Sequence, residues 1–321
     1  MSDLPSTSVV VPTYNGAPLL ERVLQPLLED PAASEVIVVV DGSRDGSFEL
    51  VDRLARDEPR LRPLFIENRG DMGARDAGAR AATGEIVLFV DDDVLADPGL
   101  VTGHATRHAE RAADVVVGYM PVTPPATRHR DDFALRLYAS EYEGRCQIYE
   151  EDPGSAVRDL WAGNFSMRRA DCLAIGMANP AFTEHYHADR DFGIRCLESG
   201  LTGTFDRALS ADHLHGRTLQ SFIRDARSQG AARVLLPRFH PGTVAPPAAG
   251  EFARGLPRAV SHIVRLTRRP RAYLAVSWSL RYLVRAGGRT RLWAPQRGLA
   301  RVLRRVEQQH GAIEQAGRRR T

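Results

Sequence analysis

The sequence predicts an α/β protein, a mainly parallel sheet flanked by helices, followed by a basic helical appendage. Three observations carry this reading. Short, nearly continuous β-branched runs recur through the first 118 residues, segments of helical periodicity separate them, and residues 251–321 hold 17 Arg against 3 Glu. Continuous apolar strands are those covered on both faces. Strands that alternate with helices imply right-handed crossovers and a parallel sheet.

The strands are expected at Ser8–Val11, Val36–Val40, Leu64–Ile66, Ile86–Val90 and Val115–Val117. Leu19, Leu20, Val23, Leu24, Leu27 and Leu28 mark the first helix at a spacing of three and four. Phe48, Val51, Leu54 and Ala55 mark the second, entered through Asp45-Gly46-Ser47 as a cap. The third, Met72 to Ala82, is Ala-rich and closed by Thr83-Gly84. Polar turn-formers follow each of the first four strands: Pro12-Thr13-Tyr14-Asn15-Gly16, Asp41 to Gly46, Glu67 to Gly70, and Asp91-Asp92-Asp93. Turn chemistry explains each alone. Four on one sheet edge outline a ligand pocket, because ligands of such sheets bind beyond the carboxyl ends of the strands. The layout of residues 1–118 is thus Rossmann-like, and three adjacent carboxylates at a strand end call for a cation.

At 321 residues and 43% hydrophobic content the chain can bury a large core. Cys146, Cys172 and Cys196 are far apart and have no paired metal-ligand spacing, which supports neither a disulfide framework nor a zinc site and suits a reducing cytoplasm. With no signal-like start and no apolar run near the roughly 20 residues that span a bilayer, the protein is expected in the cytoplasm. The net charge of +3 divides into +14 for residues 251–321 and −11 for the rest, and every one of the 43 basic residues is Arg. A basic tail on an acidic body points to an anionic partner.

Several ordered motifs carry a family resemblance. Val9 to Asn15, Val38 to Ser47 with its Asp-Gly-Ser, Asn68-Arg69-Gly70 with Ala74 to Gly78, and Gly84 to Asp93 together resemble the family 2 glycosyltransferases. Trp161 to Arg169 resembles the acceptor-side strand of that family, and Ala188 to Arg195 its E-D-x-D-L-x-x-R motif. The resemblance covers about residues 8–235. It implies a GT-A fold and an inverting transfer from a nucleotide-diphosphate sugar, UDP by default, to a hydroxyl acceptor, with Mg²⁺ or Mn²⁺ held at the D-x-D motif. The domain would span 1–237, with a nucleotide-sugar half over 1–118 and an acceptor half over 119–237, and 238–321 would form the basic appendage.

The resemblance also implies roles. Asp93 would be the principal metal ligand and Asp91 would serve the metal or the ribose, with Asp92 between them facing the donor. Pro12, Thr13, Tyr14, Asn15, Asp41 and Arg75 would line the donor site, Arg75 by its planar fork on phosphate. Asp189 would be the general base, with Asp191 the alternative base or a helix cap. A His near the metal would be His213, with His215 the alternative. The chain departs from the pattern in three places: Ala188 replaces a Glu, with His187 and Glu184 nearby; Val40 replaces the first Asp of D-D-G-S; and Gly16 stands where the dolichyl-phosphate-mannose branch has Glu.

Past Glu251 apolar residues are interleaved with Arg at helical spacing, the pattern of helices lying on an anionic membrane surface or of a lid with a solvated Arg face. No nucleic-acid motif is present, and no such partner is expected. Two other functions remain open from sequence: a catalytically silent nucleotide-sugar-binding or membrane-surface scaffold, and a sugar-phosphate nucleotidyltransferase. The latter lacks its Gly-rich loop and has no Lys.

Overall fold

The structure is a computed structural model that describes residues 4–182, 187–214 and 216–317. In chain order its elements are β1 (Thr7–Thr13), α1 (Ala17–Glu29), β2 (Ala33–Asp41), α2 (Ser47–Ala55), β3 (Leu61–Ile66), α3 (Asp71–Ala81), β4 (Ile86–Val90), β5 (Val94–Ala96), α4 (Leu100–Ala109), β6 (Val115–Tyr119), α5 (Phe133–Glu151) and α6 (Gly154–Arg158). There follow β7 (Asn164–Arg168), α7 (Arg169–Ile175), α8 (Ala188–Glu198), β8 (Gly203–His213), α9 (Leu219–Phe239), α10 (Arg258–Leu266), α11 (Pro270–Arg289) and α12 (Trp293–Gly317). Two compact units result. The first takes residues 4–123, 142–182 and 188–214, and the second takes 124–141, 187 and 216–317.

The first unit is an eight-stranded sheet in the order β3-β2-β1-β4-β7-β6-β8-β5. Its β3-β2-β1-β4 half is parallel, as the crossover argument requires. The other half is mixed: β7 runs antiparallel to both β4 and β6, and β5 antiparallel to β8, while β6 and β8 are parallel. Side chains alternate across the sheet. Val9, Val11, Val36, Val38 and Leu88 pack with α1 and α2 on one face, while Val10, Ile37, Val39, Val87 and Phe89 pack with Ala74 and Ala79 of α3 on the other. Both faces are covered, which is why these strands read as continuous apolar runs.

A buried polar chain ties α4 to the antiparallel half. Asn164 donates through Nδ2 to the Leu209 carbonyl at 3.0 Å and to the Tyr119 carbonyl at 3.3 Å, which turns its Oδ1 toward His104 Nε2 at 3.0 Å. His104 Nε2 must therefore carry the proton. Nδ1 then accepts from Ser166 Oγ at 2.8 Å, and that hydroxyl accepts from His108 Nε2 at 2.8 Å. Both rings are neutral in this arrangement. Burial pushes His104 down to about 3 and His108, with Arg168 adding to the effect, down to about 4.

The second unit has its own core, in which Phe133, Ala134 and Leu137 of α5 join Phe222 of α9, Val264 of α10, Leu280 and Val284 of α11, and Leu303 and Val306 of α12. Helices α9 and α12 cross at glycines: a Cβ on Gly230 would stand 1.9 Å from the Gln308 carbonyl, and one on Gly311 2.0 Å from that of Arg227. Fully buried Glu307 of α12 accepts from Arg227 Nε at 2.8 Å, Tyr273 Oη at 2.9 Å, Ser277 Oγ at 2.5 Å and Arg281 Nη2 at 2.8 Å. Burial works against its charge, but Ser277, Arg281 and Arg227 outweigh burial and hold its carboxyl below the ordinary value. A buried carboxylate persists only where such bonds surround it.

A histidine held neutral in the folded state stabilises above its unfolded pKa of about 6.5 and loses that contribution as pH falls toward the folded value. The stability advantage of the native chain over His108→Gln is therefore expected to shrink between pH 6.5 and pH 4 by up to about 1.4 kcal/mol per pH unit. Urea melts of both proteins at three pH values check this, and the difference isolates His108 from carboxylates titrating in the same range. A difference independent of pH would contradict the neutral chain.

Candidate active site

Because β1, β2 and β4 are parallel neighbours, their carboxyl ends deliver three loops to one edge. The carboxylates of Asp91-Asp92-Asp93 diverge there. Asp91 accepts from Arg75 Nη2, and its backbone N–H donates to the Gly163 carbonyl at 3.2 Å. A Cβ on Gly163 would lie 2.7 Å from Asp91 Oδ2 and 2.6 Å from Met120 Sδ, so the glycine leaves both side chains where they are. Asp92 turns back to β1 and accepts from Thr13 Oγ1 at 2.5 Å. Asp93 leads into β5, whose pairing with β8 sets His213 opposite Val94, and Asp93 Oδ1 lies 3.3 Å from His213 Nε2. The Leu214 N–H donates to the Asp93 carbonyl at 2.7 Å, which closes that corner.

Arg75 stands at the centre and is 1% exposed. It lies on α3 one turn after Asp71, whose Oδ1 is 3.2 Å from Nη2. The described residues give its Nε and Nη1 no hydrogen-bond partner, although both atoms are buried. Burial opposes the cation, but Asp71 and Asp91 reverse that effect and hold the guanidinium above its ordinary value. Donors of a buried charge that go unbonded are costly, and each of these two nitrogens can donate to an oxygen of an anion such as a phosphate.

Asp189 opens α8 beside this group. Its Oδ1 accepts from the Arg190 N–H at 2.8 Å, and the Ala162 N–H donates to the same carboxylate. Burial pushes Asp189 up to about 7, with repulsion from Asp71 added and the Arg190 bond and Arg75 offsetting part. Burial likewise pushes Asp92 up to about 7; the Thr13 bond works against this, and the charges of Asp91, Asp93 and Asp71 work with it. Arg75 thus acts with three carboxylates, Asp71, Asp91 and Asp189, while Asp92 feels the charges of Asp91, Asp93 and Asp71.

Other predicted residues have different neighbours. Buried Asp41 accepts from the Arg69 N–H at 2.7 Å and the Gly70 N–H at 2.9 Å, so it anchors the turn that starts α3; burial raises its pKa against those bonds. Asn15 joins the β2 turn by its N–H to Ser43 Oγ at 2.9 Å and by its Oδ1 from the Arg44 N–H at 3.2 Å, while Tyr14 beside it is 60% exposed. Pro12 is buried within β1. Asp191 is fully buried, bonded by Asn179 Nδ2 at 3.0 Å and Arg195 Nε at 3.0 Å, and Arg195 also holds the Gly176 and Met177 carbonyls. That carboxylate fastens α8 to the loop before it. His187, just before α8, has a left-handed backbone at φ 75°; His215 and Glu184 lie outside the described residues. Asp71, Ala162 and Gly163 were not singled out from sequence, although the Asp71–Arg75 spacing of four on a helix was a usable signal.

Among the described residues no three His, Cys, Asp or Glu side chains converge tightly enough to hold an ion unaided. A nucleotide-bound Mg²⁺ or Mn²⁺ asks less, since one or two carboxylates suffice when phosphates and water fill the remaining positions. Asp91 and Asp93 are hard donors of that kind, His213 beside Asp93 adds a softer imidazole nitrogen, and the surplus of negative charge calls for a cation.

Residues 8–173 match the family described as Glycosyl transferase family 2. The chain belongs to that family. A curated relative of this family 2 chain, the validoxylamine A glucosyltransferase of Streptomyces hygroscopicus subsp. jinggangensis, is 38% identical over 234 residues, 64% of this chain and 54% of that protein. The glycosyltransferase GlyG of Streptococcus pneumoniae serotype 4 is 35% identical over 120 residues, 37% and 39% of the two chains. The chain spans about half the length, or less, of such relatives. Among solved structures, the mannosyltransferase PcManGT from Pyrobaculum calidifontis, in complex with GDP-Man and Mn²⁺, has a TM-score of 0.58 at 19% identity over 98% of this chain and 88% of that one. S. aureus TarS 1-349, in complex with UDP-GlcNAc, has 0.52 at 18% identity over 92% and 90%. At these identities the two structures share its fold, a GT-A-like mixed sheet flanked by helices.

Proposed function

We propose that this chain transfers a sugar from a nucleotide-diphosphate sugar to a hydroxyl acceptor, with inversion, using a divalent cation. The observation that carries the reading is Arg75, a buried guanidinium with Nε and Nη1 unbonded among the described residues, at the sheet edge beside Asp71, Asp91 and Asp189. In this reading Arg75 donates from Nε or Nη1 to a diphosphate oxygen, and Asp71 and Asp91, which hold Nη2, keep the guanidinium oriented. Asp93, Asp91 and His213 would hold Mg²⁺ or Mn²⁺, which when bound neutralises the charge on the departing nucleoside diphosphate. Tyr14 and Asn15, with Pro12 and Thr13 behind them, flank the nucleotide. Asp41 acts through the α3 turn it holds, and Asp92 through its bond to Thr13. We assign this work to residues 1–237.

Asp189 takes the acceptor proton. Inversion is an in-line displacement, so the carboxylate must face the anomeric carbon opposite the leaving group. A carboxyl pushed up to about 7 suits that task, because a base works best when its pKa lies near the working pH. Asp191 serves as the residue that positions α8. UDP is the first nucleotide to test, although the two solved neighbours were seen with different bases. Glucose is the first sugar to test, since the first relative above is a glucosyltransferase. The three cysteines are free and buried, in keeping with a cytoplasmic site of action, and the basic C-terminal helices are assigned an anionic membrane surface as partner.

Asp93→Ala is expected to weaken Mn²⁺-dependent UDP binding more than about tenfold, because the diphosphate would face the remaining carboxylates without neutralisation. Calorimetric titration that returns the native affinity would remove Asp93 from the metal. Asp189→Asn is expected to keep donor affinity within a few-fold while the transfer rate falls by roughly 10² to 10⁴. In the native enzyme the deprotonated base is the active form, so the rate should climb as pH rises toward about 7 and then level. A variant that turns over at near-native rate would shift the proton to another group.

A further inference from the structure

We propose that α11 is an interfacial helix that seats this protein on an anionic bilayer, with Leu274, Trp278 and Tyr282 entering the boundary between headgroups and acyl chains. The proposal rests on the membrane reading above and adds the face that makes the contact. Its starting point is a stretch of sequence: residues 252–306 contain 14 Arg and no Asp or Glu. The rotation of α11 is then fixed from inside its own unit. Tyr273, Ser277, Leu280 and Val284 are buried, and Tyr273, Ser277 and Arg281 are bonded to the Glu307 carboxylate. The opposite face has to point outward.

That outward face is apolar and aromatic. Leu274, Trp278 and Tyr282, spaced by four, are 65%, 70% and 61% exposed, and the two rings stack at 6.0 Å. Nine of the thirteen exposed large hydrophobic residues among those described fall between Phe239 and Ile313. Exposed Arg271 precedes the stripe and exposed Arg285 and Arg289 follow it. Two grooves of about 490 and 480 Å³ meet at Trp278, the first bordered by Leu219, Ile223 and Arg285, the second by Leu274 and Arg281. Trp and Tyr settle at the headgroup level, where an apolar ring body and a polar edge are both accommodated. Arg beside them meets lipid phosphate. No helix among the described residues is long and apolar enough to cross a membrane, so the contact is one of lying on the surface. A second copy of the chain is a poorer occupant, because two such stripes face to face would oppose Arg to Arg with no carboxylate between them.

Sedimentation of the full chain with vesicles of roughly 70% phosphatidylcholine and 30% phosphatidylglycerol tests this, beside pure phosphatidylcholine and at low and high salt. The native chain should bind the anionic vesicles at low salt, and its tryptophan emission should shift to the blue by an amount that Trp278→Phe abolishes. The triple change Leu274→Ser, Trp278→Ser and Tyr282→Ser should weaken binding by roughly tenfold or more, with nucleotide binding and the thermal melt as folding controls. Equal binding by native and triple variant would overturn the α11 assignment while leaving the membrane reading intact. No binding by the native chain at low salt would overturn both. A dimer of the native chain without vesicles that the triple variant loses, with no blue shift on lipid, would assign the stripe to a second copy. If the triple variant does not fold, the Trp278 emission shift alone decides.

Discussion

The Arg75 guanidinium is a full positive charge enclosed by protein, and the arrangement of the sheet edge follows from keeping it there. Desolvating a cation is tolerable only with carboxylates at hydrogen-bond distance, which Asp71 supplies from one turn earlier on α3 and Asp91 from the end of β4. Asp41 holds the turn that aims α3, and Gly163 leaves room for the Asp91 carboxylate. Through Ala162 the same turn reaches Asp189. Three sheet loops and two helix starts are thereby coupled to one charge. The coupling has an electrostatic cost, since three carboxylates act on one cation, Asp92 feels the charges of Asp91, Asp93 and Asp71, and both Asp92 and Asp189 are pushed up to about 7. A site in that state gains from a cation, and once the cation is bound it gains from an anion.

Much of this edge was legible in the sequence, for physical reasons that differ by residue. The parallel half of the sheet was readable because its strands are covered on both faces and so appear as unbroken apolar runs. Asp91 to Asp93 stood out because three adjacent carboxylates are unfavourable without a partner. Their division of labour was not readable. That Asp92 turns to Thr13 while Asp93 meets His213 depends on contacts across 79 and 120 positions of chain. The His104–Ser166–Asn164 chain was hidden for the same reason, and its residues look like ordinary polar positions until α4 lies over β7. Asp71 was hidden differently: an i,i+4 ion pair on a helix is usually a solvated one, worth little, and only the burial of Arg75 changes its weight.

The second unit repeats the pattern of a buried charge that orders its surroundings. Glu307 takes bonds from α9 and α11, and this fixes which face of α11 is turned outward. The sequence showed helical spacing and a basic balance past Glu251, but not that residues 124–141 and 216–250 would join those helices in one unit. Nothing local to either segment carries that information. The glycines at which α9 and α12 cross read as weak helix positions, and their purpose appears only once the Gln308 and Arg227 carbonyls stand against them.

The central claim is that Arg75 and the strand-end carboxylates form one binding centre for a diphosphate and its cation. A crystal grown with Mn²⁺ and a nucleoside diphosphate tests it most directly, because manganese scatters anomalously and the phosphates can be located independently. The account predicts an anomalous peak at the Asp93 carboxylate, shared with a phosphate oxygen, and a second phosphate oxygen within hydrogen-bond distance of Arg75 Nε or Nη1. A nucleotide bound elsewhere, or one bound at this edge with Arg75 Nε and Nη1 both away from phosphate and no manganese at Asp93, would contradict it.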